Sequence, residues 1–341
     1  MKPTAKPAAV FITGIAGFIG FHLASFLHKR GDYVIGCDNF NYYYSPELKK
    51  TRATLLRNQG IEVIDCDICT IAALKPLFEQ HRFSHLVHLA AQAGVRYSLT
   101  HPHSYSHANL DGTLHVLEMC RHFQPLGFIF ASSSSVYGNT TAHPCLEDSS
   151  TDAPVSLYAA TKKSGELLAK SYHHLYQIPT TVLRFFTSYG PWGRPDMAYF
   201  SFAKAITNNR PIELFNRGQM KRDFTYIDDI VYGISAAIDR CKKGYEVYNL
   251  GSGSSEPLAE LVQCLESALE KKAQCLLKPM QPGDVTATWA DITKAKRALG
   301  FQPKVKLREG IQRFATWYVT HNSSDFSCQP SSIQAPSTHP T

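Results

Sequence analysis

The sequence has few charged residues and no dense run of one sign. Charged residues make up 18% of its 341 residues, and the formal net charge is +7. The pairs Lys49-Lys50 and Lys271-Lys272 are too short for a nucleic-acid-binding surface and are interpreted as solvated helix faces. The positive balance instead suits a small polyanionic substrate. We therefore expect neither a nucleic acid nor a membrane as a partner.

A long hydrophobic segment free of helix-breaking residues is also lacking. Residues 8–27 contain no charged residue, but Gly14, Gly17, Gly20 and His22 interrupt them. This composition argues against a signal peptide or a membrane helix and predicts a buried strand, a turn and a buried helix. No targeting segment is recognised.

The cysteines form no regular disulfide framework. They are odd in number and irregularly spaced, at positions 37, 66, 69, 120, 145, 241, 264, 275 and 328, which predicts reduced thiols in a cytoplasmic protein. Cys66 and Cys69 form a C-x-x-C pair, but no second pair follows at zinc-ribbon spacing. The histidines at 101, 103 and 107 are likewise not completed to a ligand set, so no metal site is expected.

Short apolar runs alternate with helical patterns through the first half of the chain. The predicted buried strands cover residues 8–13, 33–38, 61–67, 86–90, 128–132 and 181–186, and the predicted helices include 19–30, 109–123 and 158–176. Repeated strand–helix–strand units predict a parallel sheet covered on both faces. The expected fold class is α/β, with a Rossmann-type doubly wound parallel sheet and a smaller mixed α/β substrate-binding lobe. Ligands of such sheets bind beyond the carboxyl ends of the strands.

A glycine-rich string follows the first predicted strand and opens a helix. Gly14, Gly17 and Gly20 have the spacing G-x-x-G-x-x-G, which lets the backbone approach a pyrophosphate at a helix N-terminus. The alternative is three glycines that only pack a helix. The next strand ends at Asp38, where a carboxylate accepts a hydrogen bond from a ribose 2′-hydroxyl and repels a 2′-phosphate. This context predicts NAD rather than NADP.

Two later strand ends are candidates for the remaining cofactor contacts. Asp67 and Ile68 follow the third strand and are placed to meet the adenine, although Asp67 fits a helix cap equally well. The string Ala90-Ala91-Gln92 follows the fourth strand and is expected to flank the nicotinamide side.

Regular alternation ends near Thr187, so two lobes are expected. Residues 1–186, together with about 226–252, are predicted to form the NAD-binding Rossmann domain, with one more core strand at 246–251. Residues from about 187–225 and 253–322 are predicted to form the substrate-binding lobe. Residues 323–341 are rich in Ser, Pro, Thr and Gln and are predicted to be a disordered tail.

Tyr158 and Lys162 lie four residues apart in a predicted helix and share one face. A cation in that place favours the phenolate, so the tyrosine can accept a proton below its ordinary pKa of about 10. The serines at 132–135 follow the fifth strand, where hydroxyls face the ligand crevice and can bond a reacting alcohol or a growing carbonyl. A polar turn with local serine–backbone bonds is the alternative. Tyr158, Lys162 and Ser133 are therefore the candidate catalytic residues for alcohol oxidation, with NAD taking the hydride.

Together these motifs resemble the extended short-chain dehydrogenase/reductase superfamily, from about Val10 to Trp317. Several strings are more specifically similar to the UDP-glucuronate 4-epimerases of the NAD-dependent epimerase/dehydratase family. They are His88-Leu-Ala-Ala-Gln-Ala-Gly-Val-Arg96, Tyr158-Ala-Ala-Thr-Lys-Lys163, Arg184-Phe-Phe-Thr187, Gly190-Pro-Trp-Gly-Arg194-Pro-Asp-Met197, Arg222-Asp-Phe-Thr-Tyr-Ile-Asp-Asp229 and Met280-Gln-Pro-Gly-Asp284.

The resemblance implies an isomerase that converts UDP-glucuronate to UDP-galacturonate through a transient 4-keto sugar, with Tyr158 as base and then acid. The implied NAD-binding residues are Gly14, Ala16, Gly17, Phe18, Ile19, Gly20, Asp38, Asn39, Asp67, Ile68, Leu89, Ala90, Ala91, Gln92, Tyr158 and Lys162. The implied substrate-binding residues are Arg96, Ser133, Ser134, Ser135, Tyr158, Thr187, Arg194, Arg222, Gln281 and Asp284. A homodimer formed through two helices of each subunit is a further expectation from the family.

Rival functions remain open within this resemblance. A UDP-glucuronate decarboxylase shares the first oxidation, and another UDP-sugar 4-epimerase shares the fold. A 4,6-dehydratase would need an Asp-Glu pair where Ser134 and Ser135 stand, and a non-catalytic NAD-binding sensor would have no use for the base. Departures from the family pattern are small: Ser188 replaces an expected valine, and Ser164-Gly165 follows the lysine in place of the usual pair.

Overall fold

The computed structural model describes residues 9–140 and 142–321. The predicted tail at 323–341 lies outside these residues. The strands are β1 (Ala9–Thr13), β2 (Tyr33–Asp38), β3 (Glu62–Asp65), β4 (His85–His88), β5 (Gly127–Ser133), β6 (Thr180–Phe185), β7 (Thr187–Tyr189), β8 (Ile212–Leu214), β9 (Lys221–Arg222), β10 (Phe224–Tyr226), β11 (Tyr245–Leu250), β12 (Glu256–Pro257), β13 (Cys275–Leu277) and β14 (Ala287–Thr288).

The helices are α1 (Phe18–Arg30), α2 (Pro46–Asn58), α3 (Ile71–Gln80), α4 (Tyr97–Thr100), α5 (Pro102–Ser106), α6 (Gly112–Phe123), α7 (Leu157–Tyr176), α8 (Ala198–Thr207), α9 (Ile227–Arg240), α10 (Leu258–Leu269), α11 (Thr293–Leu299) and α12 (Leu307–His321). A π-helical turn at His107–Asp111 leads into α6, and 3-10 turns cover Ser134–Tyr137 and Phe215–Gly218. None of the helices within residues 9–140 and 142–321 is long and apolar enough to cross a membrane.

Seven parallel strands form the central sheet, in the order β11-β6-β5-β4-β1-β2-β3. The strands are buried because helices cover both faces; β5 and β6, for example, are buried along their whole length. One apolar cluster includes side chains of α1 and α9, and a second includes side chains of α3 and α6. The predicted Rossmann-type doubly wound α/β fold is confirmed.

The order of the strands reverses between β1 and β4. From β1 the chain first builds outward through β2 and β3, and then returns to add β4, β5, β6 and β11 on the other side. The loops after β1 and β4 therefore separate at this point and leave a crevice at the carboxyl edge of the sheet.

Small sheets lie beyond β6 and carry the second side of the crevice. β7 pairs with β10, β9 pairs with β12 and β14, and β8 pairs with β13. Beside these sheets, α8 and α12 pack on each other through Tyr199, Phe200 and Phe314, and α10 adds aliphatic side chains to the same apolar cluster.

Candidate active site

A continuous cleft of about 590 Å³ runs along the carboxyl edge of the central sheet. The glycine loop after β1 and the ends of β2 and β3 line one part of it. The serine turn after β5, the start of α7 and the loops of the small sheets line the other. One cleft thus contains a dinucleotide-type loop and a cluster of hydroxyls.

The glycine loop leaves no space for side chains. Gly14 has a φ of +72°, and a Cβ built there would lie 2.8 Å from the Ala90 nitrogen. A Cβ on Gly20 would lie 2.2 Å from the Gly14 carbonyl oxygen. Gly17 caps α1, whose first turn contains no acidic residue. This bare helix N-terminus suits a diphosphate, because its free N–H groups and dipole favour negative charge.

Asp38 lies at the end of β2, where its carboxylate lines the cleft. Its Oδ1 accepts a hydrogen bond from the Phe40 N–H at 2.9 Å. Burial raises the pKa of this carboxyl, and the nearby charges of Lys49 and Arg52 oppose that rise. These cations favour the ionised carboxylate, which is the form that accepts hydrogen bonds from a ribose.

The end of β3 meets the same part of the cleft. Asp67 accepts hydrogen bonds from the Asn39 side chain at 2.9 Å and from the Cys69 N–H at 2.8 Å. These bonds lower the pKa of the Asp67 carboxyl against the effect of its burial. Asp67 is thus a turn-forming residue that also lines the cleft, so the two alternatives for this residue are compatible.

Asn109 shapes the loop after β4 from the π-helical turn. Its Oδ1 accepts the Gln92 N–H at 2.8 Å, and its Nδ2 donates to the Gln92 carbonyl at 3.0 Å. The same Nδ2 donates to the Thr161 hydroxyl at 2.9 Å, on the helix that carries Tyr158. Asn109 therefore joins the loop after β4 to α7, and the sequence contains no motif that marks it for this task.

Tyr158 and Ser133 lie next to each other in the cleft. Burial raises the pKa of the Tyr158 phenol, while the Ser133 hydrogen bond and the charge of Arg194 oppose that rise. Lys162 is buried one turn along α7, and its Nζ donates to the Ala131 carbonyl at 2.9 Å. Its lowering effect on the Tyr158 pKa, expected from the spacing, stays a prediction.

The serine cluster is presented by a 3-10 turn that starts directly after β5. The Ser133 Oγ accepts the Ser135 N–H at 3.1 Å and donates to the Ser135 hydroxyl at 3.2 Å. Ser134, Ser135 and Thr187 line the cleft with neutral hydroxyls.

Arg194 lines the cleft, and its charge acts on Tyr158. It forms an ion pair with Asp196, and Asp196 also accepts a hydrogen bond from the Tyr43 hydroxyl at 3.0 Å. The guanidinium lies over the Tyr43 ring, 5.8 Å from the ring centroid. The ion pair raises the pKa of Arg194 and lowers that of Asp196, so both groups stay charged beside Tyr158.

A second set of charged side chains, Arg222 and Asp284, also lines the cleft. Asp284 accepts a hydrogen bond from Arg96 at 3.2 Å. Burial lowers the pKa of Arg222, with Asp284 acting in the opposite direction. Gln281 stands at the start of this turn, where its carbonyl accepts the Asp284 N–H at 3.3 Å.

Comparison with known proteins assigns the chain to a family. The profile of the GDP-mannose 4,6 dehydratase family matches residues 11–314. The chain belongs to this family. A family relative, UDP-glucuronate 4-epimerase 4 of Arabidopsis thaliana, is 47% identical over 333 residues, which cover 93% of this chain and 76% of the relative. Protein CapI of Staphylococcus aureus is 44% identical, over 92% of this chain and 98% of its own length.

A solved structure of the same family has the same fold. The UDP-glucuronic acid 4-epimerase of Bacillus cereus, crystallised with UDP-glucuronic acid and NAD, superposes with a TM-score of 0.86 at 35% identity. The match covers 91% of this chain and 99% of that one. The resemblance to UDP-glucuronate 4-epimerases, first indicated by the motif strings, is confirmed.

The structure of this chain brings most of the predicted site residues to one cleft. The exceptions are Ala16, Arg96 and Gln281, which do not line it. Ala16 instead offers its carbonyl to Arg52, and Arg96 stacks on Phe215 at 4.4 Å. Sequence reasoning missed four residues: Tyr43 lines the cleft, Tyr105 contacts the Tyr158 ring, Asn109 supports the loop after β4, and Asp196, although inside a motif string, was not marked as the partner of Arg194. Their approach to the site depends on the tertiary fold.

Proposed function

We propose that this protein is an NAD-dependent isomerase that interconverts UDP-glucuronate and UDP-galacturonate at C4. The observation that carries the proposal is the Tyr158–Ser133 pair, set among neutral hydroxyls in the same cleft as the glycine loop and Asp38. A base beside a dinucleotide site is the arrangement needed to oxidise an alcohol, because the base can accept the hydroxyl proton while the dinucleotide would accept the hydride. If neutral hydroxyls rather than a fixed ion pair hold the sugar carboxylate, the oxidised ring can turn.

The residues of the cleft fit NAD. The glycine loop and the N-terminus of α1 would hold the diphosphate, Asp38 the adenosine ribose, and the loop after β4 the nicotinamide side. When bound, NAD supplies a reversible hydride acceptor for C4, so no net oxidation occurs.

Tyr158 acts twice in the proposed reaction. As a phenolate, Tyr158 first takes the proton from the C4 hydroxyl. After the sugar has turned, its phenol returns a proton to the C4 oxygen, now from the opposite face of the sugar. Ser133 donates to the same oxygen as it becomes a carbonyl, which stabilises the developing charge. The positive charge of Arg194 favours the phenolate against the effect of burial.

The intermediate of this reaction is a β-keto acid, which can lose carbon dioxide. An epimerase must therefore hold the carboxylate away from the geometry that aligns the breaking bond with the ketone. We assign this task to Ser134, Ser135 and Thr187, whose hydroxyls line the cleft around Tyr158. Arg222 and Asp284, with Arg96 and Gln281 behind them, are placed at the diphosphate end, where a guanidinium suits a phosphate.

The division into an NAD-binding domain and a substrate-binding lobe is part of this proposal, with the cleft between the central sheet and the small sheets.

We also propose a homodimer through α6 and α7, because Leu114 and Leu167 on these adjacent helices are 39% and 53% exposed. A cytoplasmic location agrees with free thiols at all eight cysteines in the described part of the chain. Light scattering of the purified protein and cell fractionation test these two points.

Incubation of the purified protein with UDP-glucuronate, followed by chromatography of the UDP-sugars, tests the activity. UDP-galacturonate approaching equilibrium without added NADH supports the epimerase. UDP-xylose or a 4-keto pentose as the main product would identify a decarboxylase instead. Turnover of UDP-glucose but not of UDP-glucuronate would identify another 4-epimerase, and bound NAD without any turnover would indicate a sensor.

A further inference from the structure

A buried ion pair lies beneath the reaction centre and has no part in the mechanism above. Glu166 on α7 is 3% exposed and Arg184 on β6 is 4% exposed. The Arg184 Nε and Nη2 donate to the two carboxylate oxygens of Glu166, at 2.9 and 2.8 Å. A bidentate pair of this kind has a fixed geometry.

The same carboxylate also holds the strand that carries the catalytic serine. The Ser132 hydroxyl donates to Glu166 Oε1 at 2.6 Å. The preceding residue, Ala131, accepts the Lys162 ammonium at 2.9 Å. Glu166 and Lys162 are one helical turn apart and lie on the same face of α7. This face therefore forms hydrogen bonds with two consecutive residues of β5, Ala131 and Ser132, directly before Ser133.

Burial disfavours the charge of Lys162, and Glu166 is the acidic group that acts against this effect. It lies 5.4 Å from the centroid of the Phe130 ring on β5, and His88 on β4 is buried nearby and neutral, with a pKa lowered to about 3 by burial and by Lys162. Tyr158 lies one turn earlier on α7. Burial lowers the pKa of Lys162 to about 8, and Glu166 opposes that effect.

The charged and titratable groups beside Glu166 come from α7, β6 and β11, and Tyr245 on β11 donates from its hydroxyl to the Glu166 carbonyl at 3.1 Å. Arg184 contributes its guanidinium from β6, and Lys163 on α7 approaches Glu166 Oε2 to 3.9 Å while its side chain is 21% exposed. Lys162 depends on the carboxylate more than Lys163 does, because Lys163 reaches solvent and Lys162 does not.

We propose that Glu166 is a positioning residue of the reaction: it keeps Lys162 in its ammonium form beside Tyr158 and holds the end of β5 so that Ser133 meets the substrate. The inference rests on the proposed epimerisation for its role in turnover. The electrostatic part concerns Lys162 alone and is measured without substrate.

The direct test is a pH titration of Lys162 by NMR in protein labelled with 13Cε-lysine, with its signal assigned by its absence in Lys162→Met. In Glu166→Gln, the pKa of Lys162 is expected to fall by about 1–3 units, because an opposite charge at close range is lost. Ser132→Ala is the matched control, because it removes a hydrogen bond from Glu166 but leaves the carboxylate charged. It should leave the Lys162 pKa within about 0.3 units of wild type, since no charge changes.

The pH profile of turnover supplies a second readout. In wild type, the alkaline limb should lie near the Lys162 pKa of about 8, and in Glu166→Gln it should move to lower pH. A fall of one unit would leave about a tenth of the lysine protonated at pH 8 instead of about half, so turnover should drop about fivefold there and recover relative to wild type near pH 6. A merely structural role would lower turnover equally at all pH values.

Glu166→Gln leaves the Arg184 guanidinium without its counterion, so the double variant Glu166→Gln/Arg184→Gln is made in parallel. If the single variant does not fold, the double variant should still show a lowered Lys162 pKa. An unchanged Lys162 pKa in whichever variant folds, or an equal shift in Ser132→Ala, would overturn the inference. Wild-type protein that titrates as expected but does not convert UDP-glucuronate would instead overturn the proposed function and leave the electrostatic role of Glu166 standing.

Discussion

Arg52 joins the two sides of the cleft, and its replacement should destabilise both. Its side chain on α2 is fully buried, at 0% exposure. Nη1 donates to the Ala16 carbonyl at 3.1 Å and to the Tyr44 hydroxyl at 2.9 Å. Nη2 donates to the carbonyls of Trp192 and Gly193 at 2.5 and 3.0 Å. One guanidinium therefore connects the cofactor loop to the loop that leads to the pocket arginine.

The contacts set the size of the expected effect. Arg52→Met keeps an apolar stem but leaves four buried acceptors without their donor. At about 1.5–3 kcal/mol for a hydrogen bond to a charged group, the four bonds sum to roughly 6–12 kcal/mol. Part of this sum is offset because the buried guanidinium, whose Nε has no partner, no longer has to be desolvated. We expect a net loss of about 3–5 kcal/mol in the free energy of unfolding.

Urea unfolding followed by circular dichroism measures this loss, with an unchanged m-value as the check on two-state behaviour. Arg52→Lys is the control, because it keeps the charge but offers one ammonium where four acceptors lie in two directions. It should lose most of the same stability. A loss below about 1 kcal/mol in Arg52→Met, which is ordinary for a surface position, or full stability in Arg52→Lys, would refute the reasoning.

Three further predictions concern the reaction centre and its support. Tyr158→Phe should keep the fold and NAD affinity but lower turnover by about 10²–10⁴-fold, since general acid–base catalysis is lost; near-wild-type conversion by chromatography would contradict the assigned base. Thr187→Val should raise the UDP-pentose by-product and released carbon dioxide, because a hydroxyl assigned to the carboxylate is removed; an unchanged pentose fraction would count against that assignment. Gly165→Ala should destabilise the protein by about 1–3 kcal/mol through overpacking, because the added Cβ would lie 2.4 Å from the Phe130 ring. This loss is expected even though alanine favours a helix more than glycine does. Ser164→Ala, next to it, is the control for the urea measurement, and a stabilised Gly165→Ala would show that the contact relaxes freely.

The periodic part of the fold was predictable from local pattern. The strand expected at 33–38 coincides with β2, and the one expected at 181–186 is shifted by one residue from β6. Strand ends were less predictable: the run at 61–67 forms only Glu62–Asp65, because the later residues turn to make the Asp67 hydrogen bonds. A strand's length depends on the partner beside it, and that partner is distant in sequence.

The candidate site also has residues that could be predicted from the sequence and residues that could not. Residues within one motif, such as the glycine loop and the Tyr158–Lys162 helix, have a local spacing that places them before any fold is known. Tyr43 and Asp196 carry no such spacing, yet their side chains meet at 3.0 Å across 153 positions. Their part in the site was not predictable, because the approach of two loops distant in sequence is decided by tertiary packing.

The sequence alone determined the α/β architecture, the place of the dinucleotide loop, and a tyrosine and a lysine on one helix face. Those features follow from short-range rules of helix and strand periodicity, which need no tertiary contact. The tertiary structure decided the electrostatics. Burial raises the pKa of Tyr158, and Arg194 with its partner Asp196 lies beside it. Lys162 donates to the Ala131 carbonyl, and the charge of Glu166 opposes the effect of its burial. Desolvation and charge–charge distance are properties of a packed interior, so a spacing of four residues can indicate the pair but not its protonation.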